Sequence, residues 1–252
     1  MRRERGSLIV IEGIDGAGKT TISRMLVDIL NKRGYRAIYT YEPYDTKFVE
    51  ALKSYNEYRS AELDALAYAS DRLIHLKTVV LPAMEKGIVV VMDRYYFSSM
   101  AYQGAQGAPV NWVREVNRFA IKPDLAIYID VDPVIGLTRI SGGERRFAEY
   151  EKLDLLKRVR KIYLDLVKAG LLHLVDGMKS VDEVFRSVLS IIDDKLNLGI
   201  LYLLLYTSNS FKYFKPTYKI SIVCISKTLY RLVKYLYDFF LKFIQGFCER
   251  DF

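Results

Sequence analysis

The stretch LIVIEGIDGAGKTT, Leu8 to Thr21, constrains this chain more than any other. Five residues that read as a buried strand run straight into glycine, four residues, then glycine, lysine and threonine, and a helical apolar pattern follows from Lys19 to about Arg33, closed by Gly34. A loop of that composition between a strand and a helix is suited to holding phosphate. The glycines let successive backbone N–H groups turn inward, Lys19 reaches the β and γ phosphates, and the Thr20 hydroxyl can ligate Mg2+. The helix adds the positive end of its dipole. The competing reading is a glycine-rich turn with an incidental lysine, and the strand-to-helix context counts against it.

The remaining chain supplies a frame for that loop. Ala37 to Tyr41 is a second strand, and a long helix is expected from Ala61 to about Leu81, with Ser60 as cap and Pro82 near its end. GIVVVMD and LAIYIDV, ending at Asp93 and Val131, are apolar on both faces, and Leu172 to Asp176 is a shorter fifth strand. Ser180 with Glu183 forms a capping box that opens a helix to about Asn197. Continuous apolar strands alternating with helices predict an α/β class: one five-stranded parallel sheet with helices on both faces, over residues 1–197.

Composition narrows the function classes. Cys224 and Cys248 give neither a disulfide framework nor metal-ligand spacing, so a reduced, cytoplasmic setting is expected. No apolar run is long enough for a spanning helix, and the basic MRRERG start leads into too few apolar residues for a signal peptide. The net charge of +8 suggests nucleic acid until its distribution is examined. Eight Lys or Arg against three acids lie from Asn197 onward, so five of the eight excess charges sit in that segment, and no nucleic-acid partner is expected.

The segment VVVMDRYYFSSMAYQG places Asp93 and Arg94 at the carboxyl end of a strand, where open parallel sheets bind ligands. Taken with EGIDGAGKTT, AYASDR, PDLAIYIDVDP and the basic GGERRF, in that order and spacing, the chain resembles the thymidylate kinase family over about residues 7 to 195. The resemblance implies the three-layer P-loop NTPase fold and transfer of a phosphoryl group from Mg·ATP to dTMP. It places Gly13, Ile14, Asp15, Gly16, Ala17, Gly18, Lys19, Thr20, Thr21 and Arg139 at ATP, and Thr20 with Asp93 at the metal. Arg94 would clamp the phosphates at the transfer point. Tyr68 would stack on the thymine ring while Arg72 donates to its carbonyl; the two are four apart on a predicted helix and share a face. Asp15 would meet the 3′-hydroxyl, Ser99 the acceptor, Tyr102 the deoxyribose and Gln103 the pyrimidine edge. Arg145 or Arg146, in a lid of about residues 139–150, would supply a catalytic arginine, as in members with glycine at the position of Gly16. Family members commonly dimerise, which extends to this chain the expectation of a homodimer.

Two departures stand out. The family's Asp-Arg-Phe-Glu lid reads Arg145-Arg146-Phe147-Ala148, and its Arg-Glu-Pro-Gly-Gly-Thr loop reads Tyr41-Glu42-Pro43-Tyr44-Asp45-Thr46. The second leaves open which cation besides Arg94 holds the acceptor phosphate. Rival readings are another deoxynucleotide or deoxynucleoside kinase of the same fold, or a catalytically weakened ATP-dependent binding protein. Residues 198–252, rich in Tyr, Phe and Lys, carry three readings: an amphipathic helix at a partner or membrane surface with Lys234 and Lys242 toward anionic lipid, a segment packed on the kinase or on a dimer mate, or translation beyond a lost stop codon.

Overall fold

The computed structural model describes residues 5–44, 46–141 and 148–196. Arg145, Arg146, the middle of the expected lid (residues 142–147) and the segment from 197 onward lie outside the described residues. In chain order the elements are β1 (Leu8–Glu12), α1 (Lys19–Lys32), β2 (Ala37–Tyr41), α2 (Thr46–Ser54), α3 (Ala61–His75), α4 (Leu81–Glu85), β3 (Val89–Asp93), α5 (Tyr96–Ala105), α6 (Val110–Val116), β4 (Leu125–Asp130), α7 (Pro133–Ser141), α8 (Ala148–Lys168), β5 (His173–Asp176) and α9 (Val181–Leu196).

The five strands form one sheet in the order β2-β3-β1-β4-β5, and every pairing is parallel. This is the α/β P-loop NTPase fold expected from the sequence. Every residue of β1 and β3 is buried, so alternate side chains meet helices on both faces of the sheet. Ile22, Leu26 and Leu30 on α1 recur every four residues and bury one stripe of that helix, as Val184, Val188 and Ile192 do on α9. Because all strands run the same way, their carboxyl ends share one edge, and the chain visits β2 and β3 on one side of β1 before crossing to β4 and β5. Ligands of open parallel sheets bind at such a reversal.

The expected caps are present. The Leu63 N–H donates to Ser60 Oγ at 3.1 Å, and Ser180 and Glu183 bond reciprocally. The long helix, expected to end at about Leu81, runs on to Glu85. Leu76–Val80 takes a π turn, with the Leu81 N–H donating to the Leu76 carbonyl five residues back, and helix continues through Pro82 to Glu85. Proline lacks an N–H and crowds the carbonyl four residues earlier, and the wider turn just before it relieves both problems. Among the described residues no helix is long and apolar enough to cross a membrane.

Candidate active site

Gly16 and Gly18 take left-handed φ values of +80° and +87°, which glycine adopts without a side-chain clash. Gly16 is constrained twice, because a Cβ there would lie 2.1 Å from the carbonyl oxygen of Gly136 on α7. Lys19 opens α1, is buried, and donates from Nζ to the Ile14 carbonyl at 2.9 Å. Burial, and then the nearby Arg94 charge, lower its pKa to about 8, so it remains mainly cationic at neutral pH. A cavity of about 410 Å3 opens over Lys19 and Thr20.

Asp93 closes β3 facing that loop. Its Oδ2 accepts from the Thr20 hydroxyl at 2.5 Å, whereas buried Oδ1 has no hydrogen-bond partner among the described residues. Next in the chain, Arg94 has φ +70°, a conformation costing a non-glycine residue on the order of 1–3 kcal/mol. Its guanidinium donates to the Gly13 carbonyl at 3.3 Å, to Ser98 Oγ at 3.1 Å and to Asp15 Oδ1, and lies 5.1 Å from the Tyr102 ring centroid. The backbone that carries Arg94 is fixed from below by Glu12. This fully buried carboxylate accepts from the Tyr95 and Ser98 N–H groups at 2.8 and 3.2 Å, capping α5, and from the Ser98 and Tyr163 hydroxyls at 2.7 and 2.8 Å. Burial raises the Glu12 pKa, and the hydroxyl donors and Arg94 offset part of that rise.

A second cavity of about 240 Å3 lies beside the first, and Asp15, Glu42 and Arg94 line both. Its walls include Tyr68 and Arg72 of α3 and Ser99, Tyr102 and Gln103 of α5. Arg72 is held on three sides: Nε donates to Glu42 Oε2 at 2.7 Å, one terminal nitrogen to Ser99 Oγ at 3.3 Å, and the other to Asn117 Oδ1. Asn117 is itself fixed by donating to the Val113 carbonyl at 2.8 Å. His75 Nδ1 lies 3.4 Å from Glu42 Oε1, and its Nε2 lies 2.7 Å from the Thr40 hydroxyl. The guanidinium that faces the cavity is therefore immobilised before any ligand arrives.

The fold thus brings Asp15, Tyr68, Arg72, Arg94, Ser99, Tyr102 and Gln103 to one cavity, and Lys19, Thr20 and Asp93 to its neighbour. Ile14 and Ala17 are buried and Thr21 is exposed, and none of the three lines either cavity. Arg139 is absent from both, and its guanidinium reaches the carbonyls of Gly16 and Gly177. Sequence reasoning gave no role to Glu12, Glu42, Asn117 or Gly136. A carboxylate ending an apolar strand could have drawn notice to Glu12, but nothing local marks Asn117.

A family model described as thymidylate kinase matches residues 11–188, which contain all the elements just described except the N-terminal part of β1 and the end of α9. The chain belongs to the thymidylate kinase family. A probable thymidylate kinase of Staphylothermus marinus is 55% identical over 197 residues, covering 78% of this chain and 99% of the relative. One from Archaeoglobus fulgidus is 42% identical, covering 76% and 97%, and a thymidylate kinase of Francisella tularensis is 38% identical, covering 77% and 98%. Membership in the thymidylate kinase family makes the chain an enzyme that takes nucleotide substrates and a nucleotide phosphoryl donor. The phosphate loop by itself could belong to many reactions, and a second cavity adjoins it at Arg94.

Proposed function

We propose that this enzyme phosphorylates dTMP to dTDP with Mg·ATP, by in-line transfer at the junction of the two cavities. The carrying observation is that Arg94 and Asp15 line both the phosphate-loop cavity and the cavity walled by Tyr68, Arg72, Tyr102 and Gln103. Tyr68 offers a ring face to a pyrimidine and Arg72 a fixed donor to a base carbonyl, while Tyr102 fills the side where a ribose hydroxyl would need room. Gln103 presents both donor and acceptor to the base edge.

No general base is needed, because a phosphate monoester with a second pKa near 6 is largely dianionic at neutral pH. Catalysis is then positioning and charge neutralisation. Lys19 holds the donor phosphates on the loop, and Arg94, tethered by Gly13, Ser98 and Asp15, meets both donor and acceptor phosphates. The lid arginines, Arg145 or Arg146, are assigned by resemblance to the donor side. The Thr20 hydroxyl and the unpartnered Asp93 Oδ1 fit Mg2+, which favours a few hard oxygen ligands completed by water and phosphate; no cluster of three or more His, Cys, Asp or Glu competes among the described residues. When bound there, the ion would neutralise charge on the transferred phosphoryl oxygens.

A coupled assay offering dTMP, dUMP, dCMP, AMP and thymidine tests the acceptor. Strong preference for dTMP is expected, and preference for any other acceptor overturns the assignment. Arg94→Ala should lower kcat at least about a hundredfold, the scale of removing one preorganised charge from a transfer site, while the variant stays folded. Near-normal turnover in folded Arg94→Ala would remove Arg94 from the transfer step.

A further inference from the structure

The loop after β2 carries Tyr41 where an arginine is expected, yet the cavity over the phosphate loop contains a third cation besides Lys19 and Arg94. Arg24 stands one helical turn beyond Thr20 on α1, so both side chains leave the same face of the helix. Its guanidinium carbon lies 5.2 Å from the centroid of Tyr39, and the Tyr39 ring stacks on Tyr41 at 6.1 Å with an interplanar angle of 24°. Tyr39 and Tyr41 are two apart on β2 and share one face of the strand. The two rings form a short aromatic shelf, and Arg24 rests on the shelf beside the position where the strand would otherwise present a cation.

The charge balance of the cavity favours a ligand-binding role. Lys19 is turned toward the Ile14 carbonyl and Arg94 is paired with Asp15, whereas Arg24 makes no ion pair among the described residues. One donor of the Arg24 guanidinium meets the Tyr39 hydroxyl, and the rest of its planar fork is left for an anion; phosphate is the anion that such a fork matches in two parallel hydrogen bonds. Both Arg24 and Arg94 line the cavity, which joins the acceptor cavity at Arg94.

We infer that Arg24, carried on the Tyr39–Tyr41 shelf, binds the acceptor's 5′-phosphate and replaces the cation missing from the loop after β2. This rests on the kinase reading above and deepens it. The side chain acts on binding and orientation of the acceptor, so its loss raises the acceptor KM without an equal rise for ATP. Phosphate contact also predicts that the residue is felt by a nucleoside monophosphate and not by the nucleoside.

The test measures equilibrium binding of dTMP and of thymidine to the full chain, with steady-state kinetics beside it. Arg24→Ala, a change at an exposed helix position, should weaken dTMP binding roughly ten- to a hundredfold, the range for loss of charge-assisted hydrogen bonds, and leave thymidine binding within about twofold. Arg24→Lys should recover part of the loss. The double variant Arg24→Ala/Tyr41→Arg should recover more, because it returns the cation to the strand. Unchanged dTMP affinity in Arg24→Ala, or equal losses for dTMP and thymidine, would overturn the inference. If the wild-type chain prefers another monophosphate, the acceptor reading fails alone, and the same comparison of that monophosphate with its nucleoside decides the role of Arg24.

Discussion

Gly136→Ala sets two physical effects against each other at a residue that touches no substrate in the scheme above. Gly136 lies in the interior of α7, where replacing glycine by alanine stabilises a helix by about 1 kcal/mol if nothing else changes. Here a Cβ would lie 2.8 Å from the Asp15 carbonyl oxygen and 3.0 Å from Ile14 Cδ1, against 3.4 Å for the near limit of ordinary contact. Helix and loop must therefore separate by about 0.6 Å, the difference between 3.4 and 2.8 Å. The helix cannot simply withdraw, since Arg139 ties it to the carbonyls of Gly16 and Gly177. Overpacking typically costs about 1–3 kcal/mol, so net destabilisation should be near 1 kcal/mol and Tm should fall by about 2–4 °C. Turnover should fall by roughly tenfold, because misplacing reacting groups by about 1 Å costs on the order of a hundredfold. Thermal unfolding and steady-state kinetics with varied ATP measure both effects. A variant that is more stable than wild type by the full helix gain, with unchanged kcat, would refute the claim that α7 sits hard against the phosphate loop.

Lys19→Met should abolish turnover yet stabilise the fold, because Lys19 is buried with a pKa of about 8 against an ordinary 10.5. The unfolded chain binds the proton more tightly, so the native charge carries its full cost below pH 8, and that cost disappears as pH rises from about 8 toward 10.5. The stability gap between variant and wild type, read from denaturant unfolding, should be largest at neutral pH and narrow across that window; a gap that widens with pH would show the sign to be wrong. Asn117→Ala should raise the dTMP KM several-fold with little change for ATP, and cost about 1–2 kcal/mol of stability, because it frees Arg72 and leaves the Val113 carbonyl without its donor. Equal effects on both substrates would mean that Asn117 supports the fold and does not orient Arg72.

The local sequence was enough to establish the strand–loop–helix start, the five parallel strands and the caps at Ser60 and Ser180, because these depend on periodicity and on hydrogen bonds between near neighbours. It also placed Lys19 and Thr20 at the helix start that follows β1, and Asp93 and Arg94 at the end of β3, on the edge where a parallel sheet gathers its carboxyl ends. What lay beyond its reach shares one cause: contacts between residues far apart in the chain leave no mark at either position. Nothing near Asn117 announces a guanidinium 45 residues away, and nothing near Gly136 announces the loop carbonyl it must admit. The helix expected to end at about Leu81 runs on through Pro82 to Glu85, after a π turn that only the folded helix shows. The missing arginine at Tyr41 was legible, but where its replacement stands was decided by packing, which brings α1 against β2 and sets Arg24 on the Tyr39 ring.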